Sequence, residues 1–130
     1  MTRFWMTLEH SVAFTYTCLD AMKGREVFIP KIPSMKVVDL ANIMAPELPK
    51  RFTGIRPGEK LHEVLMTEDE ARTTTEHAGH YIIHQTLADA RREPNAVFMA
   101  DGFRYQSNTN KMWLTPELLK SYLGSLEKAA

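Results

Sequence analysis

Cys18 is the only cysteine in the chain, so no disulfide can close within it. It falls in a helical pattern near an apolar face, which reads as a buried, unreactive thiol. Charge of either sign is not in excess: sixteen basic residues cancel sixteen acidic ones. That balance removes the electrostatic case for a nucleic-acid partner. No stretch approaches the roughly 20 apolar residues that a bilayer-spanning helix needs. Met1 to Met6 lack the apolar run of a secretory signal. The expectation is a soluble, cytoplasmic protein without a membrane partner. The six glycines, Gly24, Gly54, Gly58, Gly79, Gly102 and Gly124, are too scattered to write the dinucleotide-binding pattern G-x-G-x-x-G.

What is present suits one modest core. The chain has 130 residues, 44% of them hydrophobic, which fits a single domain over 1–130 and argues against disorder. Leu8, Val12, Tyr16, Leu19 and Met22 recur every three or four residues and predict a helix from Thr7 to Lys23, capped by Thr7 and stopped by Gly24. Glu26 to Ile29 predicts a short strand. A second helix is expected from Ser34 to Ala45, with Val37, Leu40, Ala41 and Met44 as its stripe, and Pro46 ends it.

Arg51 to Ile55 reads as a strand running into the turn Arg56-Pro57-Gly58-Glu59. Thr67 and Glu70 form a capping-box pattern that predicts a short helix. Strands are expected at Tyr81 to His84 and at Ala96 to Met99, around a loop or frayed turn from Leu87 to Pro94. Thr115-Pro116 opens a last helix with Leu118, Tyr122 and Leu126 on one face. The fold class is therefore α/β in the α+β sense: a small mixed domain of short strands with three or four helices.

Few residues suggest chemistry. Arg56 offers a planar fork of donors that matches phosphate oxygens. Glu59, three residues on, has two acceptor oxygens that match a pair of ribose hydroxyls. Pro57 stiffens the turn between them and Gly58 permits close backbone approach. The same spacing also suits an ordinary solvated Pro-Gly turn. Arg3 is either a second phosphate ligand or a charge near a fraying end.

His77, His80 and His84 have ligand-like spacing. In a strand, however, His80 and His84 lie about 13 Å apart, too far to share a zinc whose bonds are about 2.1 Å. His62-Glu63 suits a general base with an orienting acid, but no serine or cysteine nucleophile stands beside it in sequence, and His62 reads as a structural or hydrogen-bonding histidine. Trp113 and Leu114 read as core, and Ser107 to Asn110 as a solvated, self-capping loop.

Several longer segments carry a resemblance. Thr2-Arg3-Phe4-Trp5-Met6-Thr7-Leu8-Glu9 is similar to the opening of the substrate domain in inverting UDP-N-acetylglucosamine 4,6-dehydratases. Phe28-Ile29-Pro30-Lys31-Ile32-Pro33-Ser34-Met35-Lys36 resembles the family's next signature. So does Gly54-Ile55-Arg56-Pro57-Gly58-Glu59-Lys60-Leu61-His62-Glu63. Tyr105-Gln106-Ser107-Asn108-Thr109-Asn110 with Trp113-Leu114 resembles its C-terminal end.

The family belongs to the extended short-chain dehydrogenase/reductases, NADP-dependent lyases of bacterial surface-polysaccharide biosynthesis. The resemblance implies that Arg3 and Arg56 hold a UDP diphosphate and that Glu59 holds the uridine ribose. It also implies NADP, held by a Rossmann domain that these residues do not resemble. No tyrosine is followed four residues later by lysine, so the superfamily's Tyr-x-x-x-Lys pair is absent. The expected function is a truncated or stand-alone UDP-sugar-binding lobe, without a cofactor or catalytic residues of its own, weakly binding UDP or a UDP-sugar and forming a homo-oligomer. The alternatives are an interaction protein that kept the fold and lost the ligand, or half of a split enzyme with a separate Rossmann chain.

Hydride transfer needs a bound nicotinamide and a base. Incubation of the pure chain with UDP-N-acetylglucosamine and NADP is therefore expected to yield no 4-keto sugar by mass spectrometry. Turnover would refute this reading.

Overall fold

The sequence periodicities become short elements in the computed structural model, which describes residues 1–127, with side chains to residue 124. In chain order they are β1 (Thr2–Phe4), α1 (Leu8–Ala21), β2 (Val27–Pro30), β3 (Ser34–Lys36) and α2 (Val37–Met44). Then come β4 (Val64–Met66), α3 (Glu68–Ala71), β5 (Thr74–Glu76), β6 (His80–Ile83) and α4 (Leu87–Ala90). The last are β7 (Val97–Phe98), β8 (Tyr105–Gln106) and α5 (Pro116–Glu127). Three helices of eight residues or more carry the helical content, and α3 and α4 are single four-residue turns. The class is mixed α/β, as the sequence indicates. The backbone forms two compact units.

The first unit holds residues 1–5, 33–63 and 107 onward. β1 and β3 pair antiparallel with Arg3 opposite Met35. Ser34, fully buried, is also bonded on its other side: its amide donates to Met112 and its carbonyl accepts from Leu114. This double pairing is why the helix expected from Ser34 begins only at Val37. An extended backbone at 34–36 satisfies groups that a first helical turn would leave unpaired. α2 and α5 enclose a core of Met35, Leu114 and Leu119, with Trp5, Leu40, Ile43 and Leu123 against it.

α5 is capped as expected, with the Thr115 hydroxyl accepting from the Leu118 amide. Its buried face, however, runs through Leu119 and Leu123, one position beyond the expected stripe, and Leu118 and Tyr122 are exposed. The side chain of Leu126 lies outside the described residues. Trp113 is 37% exposed rather than core, its indole donating to the Asn110 carbonyl at 2.7 Å. Residues 51–55 form no strand. They lie exposed without a pairing partner, and an isolated extended segment gains nothing from its β-propensity.

The second unit holds residues 6–32 and 64–106. An antiparallel sheet in the order β2-β6-β5-β7 is its frame, with β4 and β8 paired beside it in the same unit. Thr67 and Glu70 make both bonds of the capping box, which starts α3. Tyr105 lies buried near Tyr81, the ring centroids 5.2 Å apart. Its hydroxyl both accepts from the Ile32 amide and donates to the Ile32 carbonyl, each at 2.9 Å.

α1 starts where the sequence places it, with the Thr7 side chain accepting from the His10 amide. Its apolar stripe does not enter the core. No residue of α1 is buried, and Leu8 and Tyr16 are 76% and 67% exposed. Cys18 is half-buried rather than buried, and desolvation pushes its thiol up from the ordinary value.

Tyr105→Phe leaves the buried Ile32 amide without that acceptor. The expected loss is about 1–3 kcal/mol of stability, read from urea unfolding. An unchanged midpoint would show that water replaces the phenol at no cost.

Candidate functional site

The turn at residues 56–59 takes the shape that its composition dictates. The Glu59 amide donates to the Arg56 carbonyl at 3.0 Å, and Gly58 sits at φ +80°, where other residues are strained. Proline second and glycine third at positive φ is the pattern of a type II turn. The Glu59 carboxylate closes the ring by accepting from the Arg56 amide at 3.1 Å. Arg56 itself extends into solvent and, among the described residues, makes no ion pair.

β1 brings Arg3 to the same place. Its Nη2 lies 3.9 Å from Glu59 Oε1, and its Nε lies 3.1 Å from Glu63 Oε1. Nη1 donates to the Thr2 carbonyl at 2.8 Å and points to the Leu61 carbonyl at 3.4 Å. The guanidinium is thus about three-quarters covered, and the two acids and two carbonyls around it fix its orientation. Arg3 thus joins Arg56 and Glu59, more than fifty residues further along the sequence, in one cluster.

Beside the cluster a cavity of about 630 Å³ opens within the same unit. Val37, Val38, Phe52 and Ile55 supply apolar walls, and Lys50, Arg51, Arg56 and Glu59 supply charge. Phe52 is 88% exposed, a large ring left in water next to charged side chains. The arrangement suits a ligand with a flat apolar part and an anionic part.

The network beneath the cluster was not legible in the sequence. The Thr2 hydroxyl lies 2.8 Å from His62 Nδ1 and 2.7 Å from the Ser107 hydroxyl. Ser107 Oγ also accepts from the Glu63 amide at 2.9 Å. Ser107 is fully buried, contrary to the solvated loop expected there. A hydroxyl beside a histidine is the pattern of an activated nucleophile, but these hydroxyls have no access to a substrate. They hold β1, the segment after the turn and the loop after β8 together.

The histidines of the other unit are paired differently. His77 and His80 rings stack with centroids 5.0 Å apart, and the Thr75 hydroxyl meets His77 Nε2 at 3.2 Å and His84 Nε2 at 2.9 Å. Burial, then the neighbouring His77 and Lys31, holds the His80 imidazole below its ordinary pKa. No group of three or more His, Cys, Asp or Glu among the described residues is placed to hold a metal ion. That unit also has a smaller cavity of about 270 Å³, with Lys23 and Glu93 paired at its wall, 2.7 Å apart. His84 lines it, but Arg3, Arg56 and Glu59 do not. Among the described residues no helix is long and apolar enough to cross a membrane.

Residues 1–85 match the model of the family described as polysaccharide biosynthesis protein. The inverting UDP-N-acetylglucosamine 4,6-dehydratase of Campylobacter jejuni serotype O:2 is 38% identical over 136 aligned positions, 98% of this chain and 41% of that protein. A UDP-glucose 4-epimerase of Rickettsia felis is 31% identical over 87 positions, 64% of this chain and 26% of that protein. Among solved structures, Pen from Bacillus thuringiensis superposes with a TM-score of 0.76 at 28% identity, covering 96% of this chain and 37% of that one. The chain thus spans about two-fifths of the length of the dehydratase and of the solved structure that it matches.

Proposed function

The chain belongs to the polysaccharide biosynthesis protein family, and on that premise we propose that it is a UDP-sugar-binding lobe that does no chemistry by itself. The observation that carries this reading is the pair Arg56 and Glu59 on a cavity with apolar walls, with Arg3 held 3.9 Å from Glu59. Arg56 reaches for a diphosphate with donors that no other group occupies among the described residues. Arg3 adds a second, oriented guanidinium. Glu59 offers carboxylate oxygens to ribose hydroxyls, and the apolar wall takes the base. Two relatives with different reactions, a dehydratase and an epimerase, share a UDP-sugar in their names, which favours the nucleotide sugar over either reaction as the common element.

The residues do not fit a nicotinamide dinucleotide. No two glycines stand within three positions of each other. Among the described residues, none lies at a turn from a strand into a helix, where a pyrophosphate would be cradled.

A second reading rests on α1. His10 to Leu19 is a run of ten residues without a formal charge, on a helix with no buried side chain. Such a face marks a contact surface, and a second copy of the chain is the simplest occupant. The apolar residues ahead of the helix, Phe4, Trp5 and Met6, are each partly covered, and Trp5 packs on the core of the first unit.

Binding should be weak, because the ligand stays partly wet and its charge contacts are screened. UDP is expected to bind with a Kd on the order of 0.1 to 1 mM, or about 4 to 5.5 kcal/mol. Arg56→Ala should lose UDP, and Glu59→Ala should weaken uridine as well as UDP. NMR titration reads both, and amides at residues 56–59 that stay unmoved at several millimolar UDP would refute the site. Separately, light scattering at micromolar concentration should show a dimer that Val12→Glu dissociates. A monomeric parent chain would refute the α1 reading.

A further inference from the structure

Glu63 is not one of the residues that the diphosphate reading uses, yet it makes the shortest ion pair to one that is. Its Oε1 lies 3.1 Å from Arg3 Nε, against 3.9 Å for the contact of Arg3 with Glu59. We infer that Glu63 is a resident counter-ion, occupying Arg3 in the empty site and competing with the incoming diphosphate for that guanidinium. The inference rests on the reading of the cluster as a diphosphate site.

Geometry separates the two roles of this residue. The backbone of Glu63 is clamped: its amide donates to Ser107 Oγ and its carbonyl accepts from the Ser107 amide, each at 2.9 Å. Its side chain is 40% exposed and makes its ion pair from a position open to water. The carboxylate can therefore swing away while the chain around it stays in place. Arg3 has no such freedom, because Nη1 is bound to the Thr2 carbonyl.

Charge gives the competition its direction. Arg3 and Arg56 contribute two positive charges. Glu59 and Glu63 cancel these two, so with Glu63 in place the attraction for an entering diphosphate comes only from Lys50 and Arg51 on the cavity lining, and Arg3 adds nothing to it. Once Glu63 has left Arg3, the fork can take phosphate oxygens instead, exchanging one charge-assisted pair for another. A neutral ligand such as uridine has no part in this exchange. Glu63 accordingly sets selectivity: it raises the threshold for single or weak anions and yields to a ligand whose second phosphate is held by Arg56.

The test is NMR titration of the full chain and its Glu63→Gln variant with UDP and with uridine, alongside Arg3→Gln and the Arg3→Gln/Glu63→Gln double variant. Glutamine keeps both backbone bonds to Ser107 and removes only the charge. Glu63→Gln should tighten UDP by roughly two- to fivefold, the range that one partly exposed ion pair supplies, and leave uridine unchanged. In the Arg3→Gln background the same change should leave UDP affinity unaltered. An unchanged or weaker UDP affinity in Glu63→Gln overturns the inference while leaving the site intact. Equal tightening of uridine, or tightening without Arg3, also overturns it, by showing a general effect of structure or charge. If the unsubstituted chain does not respond to UDP, the site reading falls and this inference falls with it.

Discussion

The buried contact between the Thr2 and Ser107 hydroxyls, 2.7 Å long and 105 residues apart in sequence, is the constraint on which the candidate site depends. Arg3 is the residue after Thr2, and Glu63 donates its amide to the same serine. His62 bonds the other side of Thr2. A single pair of hydroxyls thus fixes the start of the chain, the segment that follows the Arg-Pro-Gly-Glu turn and the loop after β8. Buried polar groups of this kind are costly when any partner is missing. The arrangement around Arg3 is therefore specified together or not at all.

What was legible in the sequence is what local chemistry decides. The threonine caps at Thr7, Thr67 and Thr115 act within three residues of themselves, and each starts the helix expected of it. The Pro-Gly turn needs only its own four residues. By contrast, the extended backbone at 34–36 follows from partners at residues 2–4 and 112–114, which no window around Ser34 contains. The opposite failure occurs at 51–55, where the β-formers have no strand to join. In α5 the periodicity is right and the phase is wrong, because the position of α2 decides which side of the helix is covered.

The site divides in the same way. Arg56 and Glu59 can be chosen from spacing and turn chemistry. Arg3 came from family resemblance, and the structure supplies the physical reason by pairing β1 with β3 and bonding the Thr2 amide to Leu61. Thr2 and Ser107 carry no sequence signal, since an isolated threonine and serine look like any solvated hydroxyls. Glu63 was visible, but as a partner for its neighbour His62. Its carboxylate goes instead to a side chain sixty positions away, a choice that only tertiary structure can make.

The apolar stripe of α1 lies on the longest helix of the described fold, yet no residue of that helix is buried. Such a stripe, left in water beside ten uncharged positions, couples to the absence of net charge noted at the outset. Copies of a neutral chain feel no long-range repulsion, so nothing holds such faces apart until they touch. The colloidal behaviour of the protein near neutral pH is then governed by contact-range wetting of one helix. It should follow temperature and excluded solutes such as sulfate, which change the cost of hydrating apolar surface, far more than it follows simple screening salts.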